Sequence, residues 1–224
     1  MNNHIRIEGR AAALPIENLD TDQIMPKQFL RGIDKFGLKE GLLYDLRFDE
    51  RGRIRPTFIL NREEFSGASI LIGGSNFGCG SSREHAVWGL QQFGIKAVVA
   101  PSFAEIFYSN AMNNRLLLIT LAREEIDRLT TDAQDPSRNS VEIDVTRQTL
   151  GSQSVQASFD LMPRHRKMFL EGLDNIGLSL TYGDQISKFA HSHWQRQPWL
   201  RDVAARTRQR LANSSGGPYS ITVL

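Results

Sequence analysis

Gly78-Cys79-Gly80-Ser81-Ser82-Arg83-Glu84-His85 gathers more chemistry than any other stretch of the chain. Glycines beside two serines let the backbone approach a ligand, and a helix starting there offers unpaired N–H groups and the positive end of its dipole. Such an arrangement suits a carboxylate or a phosphate, with Arg83 able to fork onto it. Better-known loops do not fit. There is no Gly-Lys-Ser/Thr ending, the third glycine of a dinucleotide fingerprint is missing, and Ser81 lacks the Gly-x-Ser-x-Gly frame of a nucleophile elbow. A second reading needs no ligand at all, because Ser81-x-x-Glu84 has the spacing of a helix capping box. Physical chemistry alone supports an anion site at a helix start and stops there.

Other chemistry-bearing residues have plainer readings. Asp20-Thr21-Asp22 suits a turn and a helix cap better than a metal. His191-Ser192-His193 has ligand-like spacing, yet two nitrogens without a cysteine or acid nearby make a poor site. Cys79 reads as a small packing residue. It is the chain's single cysteine, which excludes an internal disulfide, a Cys-x-x-Cys pair and a self-contained cysteine-ligated zinc or iron–sulfur centre. A chain of 224 residues with a net charge of +2 can bury one good core, and its charge gives no reason to expect nucleic acid. The short apolar patch Ala11–Leu14 is no signal-peptide core, and no apolar run is long enough for a membrane span, so the expected compartment is the cytoplasm.

The elements that must position the glycine loop are legible around it. Ser69–Ile72 and Ala97–Ala100 read as buried strands, Ser82–Phe93 as a helix with Ala86, Leu90 and Phe93 at helical spacing, and Gly94 as its stop. Pro101–Asn113 reads as a second helix with Phe103, Ile106 and Phe107 on one side, and Leu116–Ile119 as a third strand. Alternation of strand and helix predicts parallel pairing with right-handed crossovers. Val141–Val145 and Ser154–Phe159 both alternate with period two, and Gly151 between them suggests a hairpin. Short helices are expected over Pro163–Leu173 and Tyr182–Ala190. Residues 1–190 read as the main domain and 191–224 as a basic extension with five arginines and one acid. That extension is expected to be helical or partly disordered, with an amphipathic helix over Pro198–Leu211 and a turn-like or disordered stretch at 213–218.

Asn76 to Ala86 resembles the signature of 3-isopropylmalate dehydratase small subunits, a branch of the aconitase superfamily. Three further blocks resemble that family in order: Asn18–Leu30, Ala100–Tyr108 and Gly172–Leu180. Arg115 departs from it, standing where glycine or glutamine is usual, and the stretch after Ala190 has no recognised counterpart. The resemblance implies an α/β fold of the aconitase-type swivel domain, a mixed β-sheet or barrel with flanking helices, and makes residues 1–190 the swivel-type catalytic domain. It implies isomerisation of 2-isopropylmalate and 3-isopropylmalate by loss and re-addition of water in leucine biosynthesis. Ser81 would be the base, with Ser82 and Arg83 binding a substrate carboxylate. Arg31 would be a further substrate-binding arginine, and loop residues Arg31–Tyr44 would read the variable group. His85 either orients the loop or substrate or is an ordinary helix histidine. No cofactor is expected on this chain; a 4Fe–4S cluster is expected on a large-subunit partner, with a small diacid as substrate. Alternatives are the small subunit of a related hydro-lyase of the homoaconitate or methylmalate type, or a non-catalytic scaffold of the same fold.

Overall fold

Runs of alanine and branched aliphatic residues build the centre of the molecule. The computed structural model describes residues 5–30 and 37–214. Within them, β1 (Arg6–Leu14), β2 (Ile70–Gly73), β3 (Ala97–Ala100), β4 (Leu117–Thr120), β5 (Ser140–Asp144), β6 (Thr149–Gly151) and β7 (Gln156–Ser158) form one mixed sheet. Its order is β4-β3-β2-β1-β5-β6-β7. The four strands from β1 to β4 pair in parallel, and β1, β5, β6 and β7 pair antiparallel. Every residue of β2 and β3 is buried, as in a strand covered on both faces.

The central strand β1 was hidden in the sequence. Its first half pairs with β5 from Arg6↔Asp144 to Arg10↔Ser140, and its second half pairs with β2 from Ala11↔Ile70 to Leu14↔Gly73. Ala11 to Leu14 are all buried, so the apolar patch is the hinge between the two halves of the sheet. Alanine has a low strand propensity, and only its small size lets α6 (Arg123–Gln134) pack closely there.

Three one-turn helices, α1 (Thr21–Ile24), α2 (Leu38–Gly41) and α3 (Tyr44–Arg47), lie between β1 and β2. The expected crossovers follow: α4 (Glu84–Phe93) leads from β2 to β3, and α5 (Glu105–Asn113) from β3 to β4. Ala86 and Leu90 of α4 are buried, and Gly94 ends it in the left-handed region at φ 113°. On α5, Phe107 is buried but Ile106 is 53% exposed, and Phe103 precedes the helix, so the three do not share one side of it as expected. The expected hairpin is also corrected, because β5 pairs with β6 and never with β7. Asp144 Oδ1 accepts the Arg147 N–H at 2.8 Å and Gln148 lies at φ 56°, closing a tight turn that brings Thr149 back opposite Asp144.

Beyond the sheet come α7 (Pro163–Glu171), α8 (Asn175–Leu180), α9 (Gly183–Arg196) and α10 (Val203–Ser214). The chain divides into two compact units, Met1–Asn175 and Ile176–Leu224. The first holds the whole sheet and, among the described residues, every buried hydrophobic side chain except Leu178. In the second, the composition change after Ala190 falls inside α9, which has no buried residue. The helix expected over 198–211 is broken: Pro198–Leu200 is a 3-10 turn, and Asp202 at φ 53° separates it from α10. Residues 215–218 of the expected turn-like stretch lie outside the described residues.

Candidate active site

Parallel strands leave their carboxyl ends on one edge of a sheet, where open α/β folds place ligands. Here the segments that follow β1, β2 and β3 are stitched together at that edge. The N–H groups of Asn18, Gly78 and Thr21 donate to the carbonyls of Ser75, Leu19 and Cys79 at 2.9, 2.8 and 2.8 Å. Phe77 N–H donates to Ser102 O, and Ala104 N–H to Phe77 O. The Phe77 ring is fully buried, with its centroid 6.2 Å from Phe103 and 5.5 Å from Phe107. This plug anchors the loop. Gly78, at φ 78°, lies so close to Phe107 that a Cβ would come within 2.2 Å of its ring. The glycine is there for contact as well as conformation.

Past that anchor the chain rises to the surface. Ser81 and Ser82 are exposed and Arg83 is half-buried. The Ser81 carbonyl is held twice, by Thr21 Oγ1 at 2.8 Å and by the Arg83 N–H at 2.8 Å. Helix α4 starts only at Glu84, with Arg83 as the residue before it and no side chain capping it. The capping-box reading of Ser81 and Glu84 is thereby overturned. Glu84 turns instead to Asn114, whose amide nitrogen donates to its carboxylate while its amide oxygen accepts from Trp88 Nε1 at 2.9 Å. That cluster fixes α4 against the end of α5 and leaves the Ser81 and Ser82 hydroxyls out of helix capping.

Arg83 does not point freely outward. Its Nη1 lies 2.6 Å from Asp22 Oδ1 and donates to Met25 O at 3.3 Å, and its side chain is 13% exposed. His85, half-buried, packs on Trp88 with ring centroids 4.8 Å apart. Arg31 lies outside the described residues, as do residues 32–36 of the expected recognition loop. Of the rest of that loop, Leu38, Leu42 and Leu43 are core residues, leaving Gly37, Lys39, Glu40 and Tyr44 with surface.

The Asp20-Thr21-Asp22 reading is half right. Asp20 caps α1, accepting from Gln23 N–H at 2.8 Å while Gln23 Oε1 accepts from Asp20 N–H. Capping leaves Thr21 and Asp22 unexplained, and these are the residues that reach Ser81 and Arg83. That surplus was the one signal in the sequence that could have found them. Cys79 is half-buried and its thiol faces Asn18 O at 3.2 Å.

Elsewhere, charged groups answer one another. Burial pushes the Tyr108 hydroxyl pKa up, and burial followed by nearby Arg164 pushes the His165 pKa down, so both rings, 5.7 Å apart, are neutral at neutral pH. A depression on one face of β1, β5 and β6 is lined by Arg6, Glu142, Asp144 and Arg147, which pair among themselves. Among the described residues, no cluster of three or more His, Cys, Asp or Glu side chains could hold a metal. His191 contacts Gln195 and His193 stacks on Phe189. Within the same residues, no helix is long and apolar enough to cross a membrane.

Sheet order, glycine loop and edge geometry define an aconitase-type domain, and the Aconitase C-terminal domain family matches residues 1–124. The chain is 61% identical over 212 residues to the 3-isopropylmalate dehydratase small subunit 1 of Chromobacterium violaceum, covering 95% of this chain and 100% of that one. It is 46% identical over 201 residues to the 3-isopropylmalate dehydratase small subunit of Phenylobacterium zucineum, covering 89% and 98%. A crystal structure of 3-isopropylmalate dehydratase from Methanocaldococcus jannaschii is similar with a TM-score of 0.59 and 30% identity, over 82% of this chain and 99% of that one. The chain belongs to the 3-isopropylmalate dehydratase small-subunit family of the aconitase superfamily. A match of 212 residues also corrects the expectation for the stretch after Ala190, most of which has a counterpart in the Chromobacterium relative.

Proposed function

We propose that this chain is the small, substrate-gripping half of a hydro-lyase that interconverts 2-isopropylmalate and 3-isopropylmalate in leucine biosynthesis. Ser81 is the base: its deprotonated Oγ takes the proton from the carbon beside a substrate carboxylate as the hydroxyl leaves the neighbouring carbon. The unsaturated diacid then takes back a proton and a hydroxide, together one water, with the two carbons exchanged. Ser82 and Arg83 hold a carboxylate, and the start of α4 with the loop amides lowers the energy of the Ser81 oxyanion. Arg31 is a second carboxylate-binding arginine in this reading, and His85 orients the loop.

The group that accepts the hydroxyl does not fit this chain, because its one cysteine cannot hold a cluster and the Cys79 thiol is turned to a backbone carbonyl. The reading therefore requires a large-subunit partner carrying a 4Fe–4S cluster, in the cytoplasm. Its carrying observation is that Ser81 is exposed, braced through its own carbonyl, and excused from capping α4.

Ser81→Ala, assayed with a matched large subunit, is expected to lower turnover roughly 10²–10⁴-fold with assembly unchanged. Unchanged turnover would make this chain a scaffold and overturn the reading.

A further inference from the structure

Asp22 holds an oxygen in a place that solvent does not reach. Its Oδ1 is shut off from water and accepts no aligned hydrogen bond among the described residues, although the residue as a whole is partly exposed. Among the described residues, the one cation against it is Arg83, with Nη1 at 2.6 Å; the other carboxylate oxygen looks outward to Lys27 Nζ at 4.0 Å. A carboxylate oxygen buried this way is costly unless paired, so the Asp22–Arg83 contact is a fixed part of the fold rather than a passing surface pair.

The geometry of the guanidinium gives that contact a purpose. Its N–H groups form a planar fork, and the Nε–Nη2 edge is one that matches a carboxylate with two parallel hydrogen bonds. Among the described residues, every polar contact of the Arg83 side chain runs through Nη1, to Asp22 and to Met25 O. Nε and Nη2 are left without partners there, on a side chain whose flexible stem is pinned from the opposite corner. Thr21, beside Asp22 on α1, holds the Ser81 carbonyl in the same way. One turn of helix therefore braces both the proposed base and the proposed anion fork.

We propose that Asp22 is a positioning residue: it acts through Arg83, holding Nη1 so that the Nε–Nη2 edge faces the substrate carboxylate. This rests on the dehydratase reading above. A grip made equally in ground and transition states appears in KM rather than in kcat.

The test uses the reconstituted two-subunit enzyme with 3-isopropylmalate as substrate. Asp22→Asn keeps the size and removes the anchoring charge; it is expected to raise KM about tenfold with kcat within about twofold. Asp22→Glu, which keeps the charge, should recover part of that loss. The double variant D22N/R83A should have the KM of R83A alone, since Asp22 has nothing to position once the guanidinium is gone. An unchanged KM in D22N, or a double variant clearly worse than R83A, overturns the proposal. So does failure of both D22N and D22E to assemble where R83A assembles, because Asp22 would then be purely structural. If R83A itself leaves KM unchanged while wild-type enzyme is active, the underlying assignment of Arg83 fails instead.

Discussion

Gly78 and Gly80 both sit at positive φ, but their surroundings differ enough to separate two costs. A Cβ on Gly80 would meet Asp20 Cβ and Thr21 Oγ1 at 3.4 Å, an ordinary contact, so Gly80→Ala carries mainly the left-handed backbone penalty of about 1–2 kcal/mol. On Gly78 the same atom would run into the buried Phe107 ring. Gly78→Ala is therefore expected to cost more than Gly80→Ala, about 3 kcal/mol or above, because ring and loop must both move. Urea unfolding of the two variants checks the order, and equal losses would mean that the Phe77 plug does not fix the loop. Glycines before a helix were visible in the sequence, whereas which one touches an aromatic ring was not, since Phe107 lies 29 positions away in the chain. Ser81 shows the opposite limit. Local spacing offered a capping box that the folded chain declines, because Asn114 takes Glu84. Arg115 shows a departure that the backbone explains: at φ 62° it occupies a conformation that suits glycine, and its guanidinium donates to Gly172 O at 3.0 Å.

Between elements, the clearest tie outside the site is Asp132 of α6. It is wholly buried and accepts from Arg138 Nη2 at 2.6 Å, from Ser152 Oγ at 2.8 Å, and from the Ser154 N–H and Oγ at 2.9 and 2.7 Å. Burial raises its pKa, but the hydrogen bonds from Ser154 and Ser152 and the Arg138 charge outweigh that, and the net direction is downward. A lowered native pKa means that this carboxylate stabilises the fold fully above its unfolded value of 3.8, and that the gain fades as pH falls through the native value. Asp132→Asn is expected to lose about 3 kcal/mol at neutral pH, since an amide nitrogen would face donors. In urea titrations the gap to wild type should hold from pH 7 to about pH 5 and close in stronger acid; a gap that stays constant down to about pH 2 contradicts the assignment. None of this network was legible, because it joins residues of a helix and a turn through side chains. The parallel core was legible, because β2, β3 and β4 announce themselves as aliphatic runs bounded by turns. Strand β1 escaped for a physical reason: its buried half is alanine, which local pattern does not mark as strand.

At the scale of the whole molecule, a single cysteine excludes a self-contained cluster, and the function proposed above reads that exclusion as a division of labour with a large subunit. The loop, its brace on α1 and the sheet edge that carries them all belong to the unit Met1–Asn175. That unit also owns the core. Helix α9 has no buried residue, and the described side chains of α10 are all exposed, including Val203 at 45% and Leu211 at 63%. Helices that bury nothing add little to the stability of the chain that carries them, because helix formation by itself is marginal at these lengths. A chain ending at Tyr182 is therefore expected to unfold in one cooperative transition, with its midpoint within about 3 °C of the full chain. Thermal melts followed by circular dichroism read this directly, and loss of the cooperative transition would show that the first unit depends on residues beyond 182. A folded truncated chain that binds the large subunit normally but turns over slowly would assign the lost helices to catalysis. One that no longer binds would assign them to assembly. Either result is interpretable only where the truncated chain keeps its cooperative transition.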